Sequence, residues 1–257
     1  METNINPKIT LVGAGPGSKD LITIRGLKAI ESADVILYDA LIAIELLDMV
    51  KKEIPSIYVG KRCGQHSFTQ DDINILMVKN AFEHGHVVRL KGGDPFIFGR
   101  AQEEIDYAES FGIPVTVVPG ISSVIAVPES QGIPLAKRGE SSSFWVMTAT
   151  KKEGSFSEDL KYASRSSSTM VIVMGIRKFK EIVTEVNKYR DSNTPIAIIQ
   201  NGTFEDESCV ITTLADAIEK DFTFDISKPG IIVIGKVVSE HPSFLNEEVM
   251  RVLHSAL

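Results

Sequence analysis

The sequence predicts an α/β protein of two lobes, each built on a sheet covered on both faces. Three observations carry this expectation. Short β-rich runs alternate with stretches of helical period along almost all of the 257 residues. The runs are near-continuously apolar, the pattern of strands packed on both sides. The stretch from Pro119 to Ser143 is rich in proline and serine and changes from apolar to polar between two such series. It marks the seam, with residues 1–120 as the first lobe and 121–257 as the second. Small-molecule sites favour clefts between lobes of this kind.

In the first series, Ile9–Gly13, Val35–Tyr38, Ile57–Gly60, Val87–Leu90 and Val115–Val118 read as strands, with helices from Leu21, Leu41, Thr69 and Phe98 between them. The helix from Thr69 is the most clearly signposted. Thr69 is a candidate N-cap, Asp72 follows three residues later, and Ile73, Leu76, Met77 and Phe82 share a face. In the second series, Phe144–Ala149, Met170–Met174, Ile196–Gln200, Cys209–Thr212 and Ile231–Gly235 read as strands, and Lys178–Tyr189 as a helix. The polar runs Lys151–Asp159 and Ser164–Thr169 read as surface loops.

Composition narrows the function. Hydrophobic content of 43% and charged content of 24% describe an ordinary globular protein. No apolar run is long enough to span a membrane, and METNINPKIT lacks the layout of a signal peptide, so a cytoplasmic setting is expected. Cys63 and Cys209 are far apart and outside any CxxC pattern, which suits free thiols. The histidines show no metal-ligand spacing, so no metal is expected. A net charge of −7 argues against nucleic acid as a partner. An anionic small molecule remains compatible with it, because a local basic patch can oppose the global sign.

The chemistry is concentrated in glycine loops. VGAGPGSKD places Gly13, Gly15 and Gly17 between a strand and a helix. The dinucleotide fingerprint GxGxxG fails here: the third glycine comes one residue early, Ser18 occupies its place, and Pro16 stiffens the turn. The phosphate loop GxxxxGK[ST] is absent. What is left is a rigid loop whose backbone a compact ligand can approach. Taken alone it reads equally as a tight turn. RLKGGDPFIFGR repeats the theme, with Gly92 and Gly93 lacking Cβ atoms, Asp94 adding a carboxylate and Pro95 fixing the turn. Asp94 as a plain helix cap is the competing reading. Two such loops at strand ends of one lobe favour a shared ligand site. Residues 60–100 carry six basic side chains against four acidic ones. Lys61, Arg62 and Arg100 follow strand ends and form a candidate rim for carboxylates.

These residues resemble a known family. VGAGPGSKDLITIRGLKAIESADVILYD, GKR, RLKGGDPFIFGR, VVPGISSVIAVPESQGIPLAKR and VIVMG, in order from about Lys8 to Val238, are similar to the uroporphyrinogen-III C-methyltransferases of the S-adenosylmethionine-dependent tetrapyrrole methylases. The resemblance implies two α/β lobes of the tetrapyrrole methylase type, not a Rossmann fold. It places S-adenosyl-L-methionine in the cleft between the lobes, with S-adenosyl-L-homocysteine as a product, and implies a homodimer. It assigns Pro16, Gly92, Gly93, Asp94, Ile97, Ser122, Ser123, Met174 and Gly202 to the cofactor. It matches Asp39 and Lys61 to proposed acid/base positions, and Arg100 and Glu103 to the tetrapyrrole side; Arg100 is also a catalytic candidate. Arg62, Arg100 and Arg138 are then the expected partners of the substrate carboxylates. The chain departs from the family pattern at Ala40, at FGRAQEE and at Gly139 after Arg138. The resemblance places all three on the tetrapyrrole side.

Overall fold

The computed structural model describes residues 5–50, 54–60, 68–150 and 154–244. The chain divides into two compact units, Met1–Ser123 and Val124–Leu257.

The first unit runs β1 (Lys8–Gly13), α1 (Ile24–Glu31), β2 (Val35–Tyr38), β3 (Ser56–Tyr58), α2 (Gln70–His84), β4 (His86–Lys91), α3 (Ala101–Glu109) and β5 (Val115–Val118). Its strands form one sheet in the order β3-β2-β4-β1-β5, and every pairing is parallel. Successive residues of each strand feed opposite cores. Ile9, Leu11, Val35, Leu37 and Val87 pack with Ile73 and Met77 of α2 and Ala101 and Ala108 of α3. Val12, Ile36, Val88 and Leu90 pack on the other face with Ile30 of α1 and Leu46 of a 3-10 turn, Ile44–Met49. This two-sided burial is why the strands read as continuous apolar runs.

Local chemistry sets the helix ends. In α2 the capping box forms as its sequence predicts: the Asp72 amide donates to Thr69 Oγ1 at 3.1 Å, and the Thr69 amide donates to Asp72 Oδ2 at 2.8 Å. Three expected helix starts differ. The helix expected from Leu21 starts at Ile24, behind Thr23, whose hydroxyl caps the Gly26 amide at 3.0 Å. The one expected from Leu41 is confined to the 3-10 turn. The one expected from Phe98 starts at Ala101, because Phe98 and Arg100 hold left-handed backbone (φ 55° and 59°) that no right-handed helix can contain.

The second unit opens with α4 (Ser123–Ser130, its first residue belonging to the first unit). It continues through β6 (Phe144–Thr148), α5 (Glu158–Arg165), β7 (Thr169–Val173), α6 (Phe179–Asn187), β8 (Pro195–Gln200), β9 (Ser208–Thr213), α7 (Leu214–Glu219) and β10 (Gly230–Ile234). Its sheet, in the order β6-β7-β10-β8-β9, is mixed: β6 and β7 are parallel and the other pairs antiparallel. Leu160, Ile182, Val186 and Leu214 cover one face, and Val124, Val127, Val237 and Val238 the other. Helix α5 takes in the end of one run that reads as loop, at Glu158 and Asp159, and the start of the other, at Ser164 and Arg165, with Ser157 capping the Asp159 amide at 3.2 Å. Among the described residues no helix is long and apolar enough to cross a membrane.

Candidate functional site

The adjacent strands β1 and β4 send their chain to opposite faces of the first sheet, β1 to α1 and β4 to α3. That is a topological switch point, and in open parallel sheets ligands bind beyond the carboxyl ends of the strands there. The two glycine loops leave the sheet at this place, and so does the loop after β5.

The β1 and β4 loops are hydrogen-bonded backbone to backbone, and the β5 loop packs against both. Ala14 N donates to Lys91 O at 2.7 Å, Gly93 N to Gly15 O at 2.7 Å and Gly15 N to Gly93 O at 3.3 Å. A Cβ on Gly13 would lie 2.7 Å from Gly93 O, and one on Gly120 would lie 2.7 Å from Gly13 Cα. Glycine is required at 13 and 120 because other backbone fills the space. Asp94 completes the junction. Its Oδ1 accepts from Phe96 N at 2.9 Å and its Oδ2 from Gly120 N at 3.1 Å, which ties the β4 loop to the β5 loop. Asp94 is thus a loop tie; the first residue before α3 is Arg100. Gly93 differs from its neighbours. At φ 68° it is left-handed, and a Cβ there would meet only Ser123 N, at 3.8 Å. Its open side is where a ligand can touch backbone.

Around the junction, Pro16 is half-buried and Ser122 is buried, while Phe96, Ile97 and Phe98 form an exposed apolar run. Gly92 packs against Leu41, whose Cβ would lie 2.6 Å from a Cβ on Gly92. Backbone with open space, beside exposed apolar side chains, suits a nucleoside with an apolar face and polar edges.

Behind the junction lies a buried charge network. Arg89 donates to Asp39 Oδ1 at 2.6 Å and to Glu104 Oε1 at 3.2 Å, and Lys91 donates to Glu104 Oε2 at 2.8 Å. The side chains of Arg89, Lys91 and Glu104 are at most 5% exposed, and that of Asp39 is 26% exposed. Burial opposes the Arg89 charge, but Asp39 and then Glu104 outweigh it and hold the guanidinium above its usual value. Burial, followed by the charge of Arg89, pushes the Lys91 ammonium below its usual value. Arg89 and Lys91, which flank the glycine loop in sequence, therefore face inward toward α3. They are neutralised inside the fold and add nothing to a basic rim.

Arg100 stands differently. It forms a two-point pair with Glu103, at 2.7 Å through Nε and 2.5 Å through Nη2, with both side chains about half exposed. The Glu103 hydrogen bonds raise the Arg100 guanidinium. Lys61 and Arg62 lie outside the described residues.

In the second unit Met174 and Gly202 lie just past strand ends. Met174, after β7, has φ 56° and is 68% exposed. Asn201 and Thr203, after β8, have φ 51° and 70° and flank the buried Gly202, which abuts Val127 of α4. Among the described residues, the non-glycine residues with positive φ, namely Phe98, Arg100, Met174, Asn201 and Thr203, all follow the carboxyl end of a strand. Backbone strain of this kind gathers at ligand sites. Arg138 is exposed in the turn bracketed by the Lys137–Ser141 bridge. Among the described residues no cluster of His, Cys, Asp or Glu could hold a metal ion.

The first unit thus brings Asp39, Gly92, Gly93, Asp94, Ser122 and Ser123 to one edge of its sheet, with Arg100 and Glu103 paired nearby at the start of α3. Glu104 is the residue that sequence reasoning missed. Its signal was present: Arg89 and Lys91 share one face of a central strand, and such a face must supply counter-charge.

Comparison with known proteins agrees with this geometry. The family model for tetrapyrrole (corrin/porphyrin) methylases matches residues 8–218. A uroporphyrinogen-III C-methyltransferase of Methanocaldococcus jannaschii is 47% identical over 234 residues, 90% of this chain and 97% of the relative. A siroheme synthase of Actinobacillus pleuropneumoniae is 41% identical over 91% of this chain, which spans 49% of that longer protein. The crystal structure of a uroporphyrin-III C-methyl transferase from Thermus thermophilus, complexed with S-adenyl homocysteine, matches with a TM-score of 0.77 at 31% identity, covering 90% of this chain and 93% of the other. A glycine-walled switch point without the dinucleotide fingerprint, and a match that runs through both units, have one common explanation: the chain belongs to the tetrapyrrole (corrin/porphyrin) methylase family.

Proposed function

We propose that the chain is a uroporphyrinogen-III C-methyltransferase. It moves two methyl groups from S-adenosyl-L-methionine to ring carbons of uroporphyrinogen III, giving precorrin-2 and S-adenosyl-L-homocysteine. The observation that carries the reading is 47% identity across 97% of a relative of that name. The solved neighbour that holds S-adenyl homocysteine supports the cofactor. About half the length of the siroheme synthases matches this chain, which suits a product passed on toward sirohaem.

The sulfonium of the cofactor supplies the methyl group as an electrophile. The protein's part is then placement, which can lower a barrier by ~7–11 kcal/mol in favourable cases. In this proposal Gly92 and Gly93 offer backbone, Asp94 keeps the loop still and Ile97 meets the apolar face of the nucleoside. Pro16, Ser122, Ser123, Met174 and Gly202 complete the set of cofactor residues. Asp39, held at one oxygen by Arg89, accepts the proton that leaves the methylated ring, and Lys61 assists. The Arg100–Glu103 pair is exposed, and such pairs are weak. A substrate carboxylate can therefore replace Glu103 on the guanidinium at little cost, while Arg62 and Arg138 bind others. A homodimer, a cytoplasmic setting and the absence of a nucleic-acid partner belong to the same proposal; the net charge of −7 and the free Cys209 support the last two.

Incubation with uroporphyrinogen III and methyl-labelled S-adenosyl-L-methionine tests the function. Label in a dimethylated tetrapyrrole is expected. Cofactor bound tightly with no label in the tetrapyrrole overturns it.

A further inference from the structure

We propose that Glu207 is a positioning residue for the cofactor, acting through the loop Asn201–Gly202–Thr203. The inference rests on the methyltransferase reading and on the place of Gly202 in it.

Strand β8 ends at Gln200, and the next residues turn sharply. Asn201 and Thr203 both hold left-handed backbone, although neither is glycine. Left-handed backbone at two non-glycine residues in one turn persists only where its surroundings over-determine it. Here the surroundings are specific. Gly202 cannot move inward, because Val127 of α4 occupies the space a Cβ would need. Asn201 N donates to Pro229 O at 3.0 Å, and Asn201 Nδ2 reaches both oxygens of Asp206 at 2.9 Å. Lys228 anchors Asp206 from the other side at 2.6 Å.

Glu207 does the corresponding work for Thr203. Its Oε2 accepts from Thr203 N at 2.5 Å and from the Ser130 hydroxyl at 3.2 Å. Its Oε1 accepts from Gln131 Nε2. Ser130 ends α4, the helix that also carries Val127, and Gln131 is the residue that follows it. A single carboxylate therefore holds the left-handed Thr203 and moors the loop to the helix against which Gly202 rests. The strained loop is paired at both flanks by acidic side chains that come from its own far end, residues 206 and 207. Its shape is consequently fixed before any ligand arrives.

Removing the carboxylate frees Thr203 to relax. If the competent loop falls to about one tenth of the population, apparent affinity falls about tenfold. Glutamine at 207 keeps an oxygen for Thr203 N, and the Gln131 amide can turn over to accept from the new NH2. Glu207→Gln should therefore recover most of what Glu207→Ala loses.

The experiment is calorimetric titration of S-adenosyl-L-homocysteine into the parent, Glu207→Ala and Glu207→Gln proteins. Amide exchange over residues 201–207 is measured without ligand, and melting temperatures are recorded. The inference expects faster exchange and about tenfold weaker binding for the alanine variant, with binding within about threefold of the parent for glutamine. Turnover should show the Michaelis constant for S-adenosyl-L-methionine rising, with kcat at saturation within about twofold of the parent. Should Glu207→Ala fail to fold, Gln131→Ala, which removes one mooring from the same carboxylate, is expected to give an intermediate loss of affinity. Parent-like affinity in Glu207→Ala, or in Gln131→Ala where that variant is needed, overturns the inference while the methyltransferase reading stands. A parent that neither binds S-adenosyl-L-homocysteine nor labels uroporphyrinogen III overturns the underlying reading, and the inference with it.

Discussion

Replacing Glu104 with glutamine leaves two buried cations to share the charge of Asp39. Arg89 keeps that partner at 2.6 Å, but Lys91 loses the carboxylate oxygen it holds at 2.8 Å while its side chain is 5% exposed. Breaking a buried pair in this way costs about 3–5 kcal/mol. Lys91 has one escape, which is to give up its proton. From the ordinary lysine value of 10.5, neutralising it at pH 7 costs about 4.8 kcal/mol at 1.36 kcal/mol per pH unit, which caps the loss. The sign of the pH dependence follows. A lysine whose folded value lies below its unfolded value contributes least when the solution is acidic to both, and regains its contribution as pH rises toward 10.5. The deficit of Glu104→Gln should therefore shrink between pH 7 and pH 9, by up to about 2.7 kcal/mol. Urea denaturation followed by circular dichroism at pH 7, 8 and 9 measures it, and amide exchange in β4 and α3 locates it. The double variant Lys91→Met/Glu104→Gln, which removes the stranded charge, should regain most of the stability. A deficit below about 1 kcal/mol at pH 7, or one that does not change with pH, would refute the reasoning.

Gly120→Ala drives a Cβ into the backbone of Gly13 and Gly93; such overpacking costs about 1–3 kcal/mol or more, and S-adenosyl-L-homocysteine binding should fall with it. Parent-like melting and binding would show that the three loops are not in contact. Gly112→Ala is the control, since a Cβ there meets nothing within 4 Å and only the φ of 74° opposes it. Arg100→Met should cut turnover while S-adenosyl-L-homocysteine affinity stays near that of the parent, and equal loss of both counts against its place on the substrate side. His86 is held neutral by burial, which lowers its value despite the bond of Nδ1 to Ser32 O at 2.9 Å. Stability should therefore decline as pH falls below the ordinary imidazole value of 6.5 and through the lower folded one, and a His86→Gln protein with the same acid slope would refute this.

The sequence made the strands and the glycine loops legible for a single reason: two-sided burial writes apolar runs, and close backbone contact demands glycine. Thr69 and Asp72 announced their helix because a capping box is a local device. What depended on distant partners was hidden. Nothing in the run SCVITT distinguishes an antiparallel β9 from a parallel one, since both bury the same residues. Arg89 and Lys91 swelled the basic balance of residues 60–100, because the partner that turns them inward, Glu104, lies on another element. The start of α3 was placed too early, since left-handed backbone at Phe98 and Arg100 is set by the packed loop and not by propensity. Helix α5 was lost to its polar composition, although Ser157 followed by Glu158 and Asp159 carried an N-terminal signature.

The contact among Gly13, Gly93 and Gly120 has a consequence for how this protein can change. Turns that abut main chain to main chain cannot be lengthened or reshaped one at a time, because an atom added at Gly13 or Gly120 displaces the backbone of the others. Variation in what the molecule recognises is thereby channelled away from the wall itself and toward the projecting residues beside it, Phe96, Ile97 and Phe98, where a substitution meets solvent before it meets main chain.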